Sequence, residues 1–90
     1  MPRIAGFGGM VIMLYFGDHP PPHVHIRMGR PGHPGVLEAS FAIDTGELVS
    51  GMLPTTKATQ IMHWCQRNQD ALQADWERMQ RDKHPAEHYD

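Results

Sequence analysis

Three consecutive prolines, Pro20 to Pro22, separate two apolar stretches and restrict the fold more than any other feature of the chain. A proline lacks the N–H that a helix or a central strand needs, and it biases the preceding residue toward extended backbone. Residues 19–22 are therefore expected to form a stiff connector that holds its flanks at a fixed separation. The flanks are chemically loaded. Asp18 and His19 precede the prolines, and His23, Val24, His25 and Ile26 follow. Three histidines and an acid within nine residues are more than packing requires.

Before the connector, Val11 to Phe16 is a continuous apolar and aromatic run bounded by Gly8-Gly9 and Gly17-Asp18, as suits a buried central strand. After it, His23 to Met28 alternates: His23, His25 and Arg27 on one face, Val24, Ile26 and Met28 on the other. The glycine-proline segment 29–35 reads as a loop, and Val36 to Ala42 resumes the alternation. A hairpin with Arg27 opposite Glu38 places His25 against Ser40 and Met28 beside Leu37, which keeps the two faces consistent. Asp44-Thr45-Gly46 is a turn signal, and Leu48 to Met52 a short strand. The string Gly6-Phe7-Gly8-Gly9 precedes a strand instead of opening a helix, so it reads as a turn or bulge and not as a phosphate cradle.

From Pro54-Thr55-Thr56 onward the spacing becomes helical, with a threonine available as the cap. Ala58, Ile61, Cys65, Leu72, Trp76 and Met79 form one apolar stripe that can lie on the sheet. Asn68 interrupts it and marks a bend or a second helix. The expected architecture is α+β in a single domain spanning residues 1–90: a small antiparallel sheet of three to four strands over about 10–52, a helical segment over about 55–82, and a mobile tail over 84–90.

Ninety residues suit one small domain, for which self-association as a homodimer is a natural support. The single cysteine, Cys65, cannot form an internal disulfide and is expected to be buried. The Met10 to Phe16 run is too short to span a membrane and lacks the basic flank of a leader, so a cytoplasmic, membrane-free protein is expected. The net charge of −2 does not support a nucleic-acid surface, although the first 36 residues carry three arginines against Asp18 alone.

Chemistry concentrates on the displayed face. His23 and His25 stand two apart on a strand, so both imidazoles project together. With His19 they form a candidate set for a divalent transition metal such as zinc, nickel or copper, and Asp18 is a ligand or an orienting carboxylate. The same histidines, His19, His23 and His25, suit acid–base catalysis, with Arg27 as an anion contact and Tyr15 nearby, as in metal-free RNA cleavage. The residues alone also admit a structural reading, in which the histidines cap loop groups and line an exposed face. Outward-facing rings imply that replacing His23 and His25 leaves the fold nearly intact. Trp64 falls just off the helical stripe, as a rim residue or a partner contact.

The Asp18 to Ile26 string, the aromatic-rich strand before it and the C-terminal helix with Trp76 near its end together resemble a prokaryotic family catalogued as domain of unknown function 4160. The resemblance spans essentially the whole chain, and the histidine-proline string is its specific part. The family implies no established activity. Its members resemble small bacterial proteins encoded beside another short protein, which implies a toxin–antitoxin-like two-gene module with a small cognate protein partner. The resemblance marks Asp18, His19, His23 and His25 as a functional patch. A transition-metal-binding domain and a non-catalytic protein-interaction module are the alternatives to the two-gene reading. The chain departs from the family in its longer 29–35 loop and its methionine content, which bear on the rim of that patch.

Overall fold

The computed structural model describes residues 2–89. Strands β1 (Arg3–Phe7), β2 (Met10–Met13), β3 (His23–Met28), β4 (Leu37–Ala42) and β5 (Leu48–Gly51) form one antiparallel meander in sequence order, followed by helices α1 (Thr55–Arg67) and α2 (Gln69–Gln80). The α+β class holds, with five strands in place of three to four. The additional strand is β1. Gly8 and Gly9, with φ of 59° and 78°, form a two-residue turn that folds Arg3–Phe7 back onto β2.

Strands β3 and β4 pair in the register expected from the sequence: Arg27 with Glu38, His25 with Ser40, Met28 with Leu37. Met10, Ile12, Val24, Ile26, Ala39 and Phe41 then share a core with Ile61, Trp64, Cys65, Leu72, Trp76 and Met79 of the helices. Trp64 is in this core at 1% exposure, so it is neither a rim residue nor a surface contact for a partner. Its ring is large enough to reach the apolar side from a position beside the stripe, where it meets Phe7 and Tyr89 at 6.0 and 5.4 Å between ring centres. Cys65 is buried as expected, and burial pushes its thiol up to about 12.

Asn68 divides the two helices. Its backbone N–H and its side-chain Nδ2 both donate to the Trp64 carbonyl, at 3.1 and 2.9 Å, which closes α1 while α2 begins at the next residue. At the other end of α1, Pro54 occupies the cap position and no side chain caps the helix, so the expected threonine cap is not made.

The C-terminal segment, expected to be mobile, makes specific contacts up to Tyr89; Asp90 lies outside the described residues. Asp75 is fully buried on the helical stripe and accepts hydrogen bonds from the Tyr89 hydroxyl at 2.6 Å, the Ala86 N–H at 2.8 Å and Arg78 at 2.7 Å. A buried carboxylate requires such partners, and the tail supplies them from Ala86 and Tyr89. Burial alone would raise the Asp75 carboxyl; the hydrogen bonds from Tyr89, Ala86, Arg78 and Glu87 outweigh it and hold the group below the ordinary carboxylate range.

Among the described residues, no helix is long and apolar enough to cross a membrane. One face of the sheet carries the helices. The other carries His25, Arg27, Ser40 and Ser50, and it is the setting of the candidate site.

Candidate functional site

The site forms where the 14–22 connector returns to the start of β3. Leu14 is buried, the Gly17 N–H donates to the Met79 carbonyl at 3.3 Å, and the Ile43 N–H donates to the Pro22 carbonyl at 3.0 Å. The connector is therefore tied to the end of α2 on one side and to the end of β4 on the other. The Pro20-Pro21 bond within it is cis. Asp18 comes to lie over the start of β3, in contact with His23 and His25, so the connector doubles back over the strand instead of holding its flanks apart.

Asp18 Oδ2 lies 3.0 Å from His23 Nε2 and 2.8 Å from His25 Nε2. Its other oxygen, Oδ1, accepts from the His19 backbone N–H at 2.9 Å and lies 3.1 Å from His19 Nδ1. Burial tends to raise the Asp18 carboxyl. The His25 hydrogen bond, the His19 N–H and the charges of His23 and His25 more than offset this, and the group is held below its usual range.

The two imidazoles are held differently. His23 is 6% exposed, with its ring 5.4 Å from that of Trp76 and 4.8 Å from that of His25. This corrects the outward-facing assignment. His23 has the strand parity of His25 but stands at the first position of β3, where the connector and α2 close over the end of the sheet. Its Nδ1–H donates to the Pro21 carbonyl at 2.7 Å, which leaves Nε2 directed at Asp18. His25 is half-buried. Its ring lies flat on that of Tyr15, with centres 3.8 Å apart and planes 4° from parallel, and its Nδ1 faces the Ser40 hydroxyl at 3.5 Å.

His19 does not join the pair. Its side chain is 83% exposed and sits on the far oxygen of Asp18. The group that converges is Asp18, His23 and His25, whose candidate ligand atoms all lie within 4.8 Å of one another. Tyr15 contributes by stacking, and burial, followed by the charges of Glu38 and Asp18, raises its phenol so that it stays protonated at neutral pH. Arg27 stands two residues beyond His25 on the same face, and Trp64 is on the opposite side of the sheet within the core.

Two residues escape a reading of the sequence, one that walls the site and one that anchors the tail away from it. Trp76 is legible as a core residue, but nothing in its spacing announces that it walls His23. Asp75 falls between Leu72 and Met79 at helical spacing, and a carboxylate on an apolar stripe with Arg78 three residues on is a signal of a buried polar cluster.

Fold and site together define a small α+β domain with a histidine–carboxylate cluster at one end of its open sheet face. The chain belongs to the family described as Domain of unknown function (DUF4160), whose model matches residues 9–77 and so includes the whole cluster. No curated protein and no solved structure matches the chain.

Proposed function

We propose that this protein is a metal-binding domain that holds one divalent transition-metal ion through Asp18 Oδ2, His23 Nε2 and His25 Nε2. The observation that carries this reading is the position of His23 between two acceptors, the Pro21 carbonyl on Nδ1 and the Asp18 carboxylate on Nε2. Neither oxygen donates. A proton on each ring nitrogen satisfies the arrangement, and so does a metal ion in place of the Nε2 proton, with Nδ1–H still bound to the carbonyl. The second arrangement is the one in which metal-bound imidazoles are commonly oriented.

The spacing supports it. Metal–ligand bonds of about 2.1 Å put neighbouring ligand atoms about 3.0 Å apart in an octahedral site and about 3.4 Å apart in a tetrahedral one, so the pocket takes an ion after shifts of a few tenths of an ångström. The carboxylate-to-imidazole distances are 2.8 and 3.0 Å. Two imidazoles and one carboxylate on one side of an ion leave further positions for water or another ligand, and suit first-row ions such as zinc, iron(II), cobalt or nickel. His19, on the far oxygen, orients the carboxylate and is not a ligand in this reading.

Equilibrium dialysis against zinc or cobalt tests the proposal. About one ion per chain is expected, with Asp18→Ala or His25→Ala lowering affinity at least tenfold and His19→Ala retaining most of it. Equal uptake by wild type and both ligand variants overturns it.

A second reading, a protein-interaction role with a small partner as in a two-gene module, is supported by a different feature. β5 is an edge strand, and Leu48 and Val49 on it, with Met52 just beyond, are exposed. Growth arrest on expression that depends on Leu48 and Val49 and is indifferent to His25 favours this reading over the metal site.

A further inference from the structure

The open face of the sheet carries a cleft of about 360 Å³ next to the cluster, with His25 in its wall. Tyr15, Arg27, Glu38, Ser40 and Ser50 also line it. Its floor approaches β5 closely at Gly51, where φ is 79° and a Cβ would run into the Glu38 and Ala39 backbone.

Arg27 is the anomaly in this cleft. Its Nε is shielded from solvent and has no hydrogen-bond partner. Glu38 stands opposite in the β3–β4 register and is exposed, yet the two form no ion pair among the described residues. An unpaired buried N–H is costly, and native structures seldom leave such a group without an acceptor. Guanidinium presents two parallel N–H groups along its Nε edge, a geometry that matches two oxygens of one anion.

We infer that this cleft is an anion-binding subsite in which Arg27 takes the oxyanion of a small carboxylate or phosphate, with the Ser40 and Ser50 hydroxyls as further donors. A modest rotation of the half-buried side chain brings the Nε edge to the ligand, and the ligand replaces the missing acceptor. The size of the cleft fits a small molecule. Glu38 at its rim disfavours a polyanion, so a nucleic-acid strand is a poor occupant. A ligand anchored on Arg27 extends toward His25, and its placement beside a metal ion rests on the metal-binding reading; the arginine contact does not.

The test is the Arg27 Nε–H resonance in a 15N-labelled, metal-free sample, titrated with sodium acetate and, separately, with inorganic phosphate at constant ionic strength. A saturable shift of that resonance is expected with at least one of them, and the anion that produces it identifies carboxylate or phosphate chemistry. Arg27→Gln, which assigns the resonance, is expected to weaken anion binding at least tenfold while zinc uptake stays within about twofold. No saturable shift with either anion, or anion binding unchanged in Arg27→Gln, overturns the subsite. The same resonance is also assigned in the wild type by through-bond correlation, so the wild-type titration does not depend on the variant folding. Zinc uptake measured on the same sample separates the readings: saturable anion binding without zinc uptake sinks the metal site alone, and zinc uptake without anion binding sinks the subsite alone.

Discussion

Asp18 and His23 meet at 3.0 Å through Oδ2 and Nε2, across a proline connector whose own carbonyl, from Pro21, occupies the opposite nitrogen of the same ring. The imidazole is thereby fixed in plane and direction by two oxygens. His25 adds a second ring to the same carboxylate oxygen at 2.8 Å, itself fixed by stacking on Tyr15. Such restraint is what a ligand cluster needs, because ordering entropy is then met during folding instead of on binding.

His23→Ala and His25→Ala should differ in stability. His23 is buried against Trp76, so its removal opens a cavity and leaves the Pro21 carbonyl without its donor; about 2–3 kcal/mol is expected. His25 is only half-buried and should cost about 1 kcal/mol. Urea unfolding of the two single variants measures both, and equal midpoints would contradict the burial asymmetry.

Tyr15 is a positioning residue. Tyr15→Ala frees the His25 ring and should weaken zinc about tenfold, whereas Tyr15→Phe keeps the stacked face and should stay within about threefold of wild type. Competition with a chromophoric chelator reads both. Loss in Tyr15→Phe equal to that in Tyr15→Ala would show that the hydroxyl, and not the stack, matters.

The Asp75 cluster fixes the sign of an acid transition. Its carboxyl is depressed in the folded chain, because the hydrogen bonds from Tyr89, Ala86, Arg78 and Glu87 exceed the effect of burial. The stability it contributes is fully present above the ordinary aspartate value of about 4 and is lost as pH falls through the depressed folded value. Asp75→Asn should flatten the pH dependence of unfolding in that window. Unchanged slopes there would mean that another carboxylate governs acid unfolding.

Asp75→Ala should destabilise the domain by about 2–4 kcal/mol, since the Tyr89 hydroxyl and the Ala86 N–H lose their buried acceptor. Tyr89→Phe removes one bond and should cost about 1 kcal/mol. Faster amide exchange at residues 86–89 in both variants is the accompanying signature, and exchange as fast in the wild type would contradict a docked tail.

Local pattern carries much of the fold. The β3–β4 register follows from keeping Val24, Ile26 and Met28 on one face while Arg27 meets Glu38, and Asn68 marks the helix break because it interrupts a stripe that resumes at Leu72. Alternation assigns a face, but not depth. His23 shares a parity with His25, and only the return of the connector and the arrival of Trp76 bury it. The ligand set is legible as a group of neighbours in sequence, yet the path of the connector, tied to α2 and β4 at its two ends, decides that Asp18, and not His19, meets the two rings. The Asp75–Tyr89 bond joins residues fourteen apart with no periodic relation, and β1 is short and glycine-flanked, so neither stands out in a local window.

The most direct measurement is a long-range 1H–15N spectrum of the histidine rings recorded without metal and with about one equivalent of zinc. Zinc at the proposed position shifts the Nε2 signals of His23 and His25 by the large amount that direct ligation produces, leaves Nδ1 protonated on both rings, and moves His19, which touches only the far oxygen of Asp18, by much less. Unchanged His23 and His25 signals, or a response confined to His19 and the other exposed histidines, contradict a metal site at Asp18, His23 and His25.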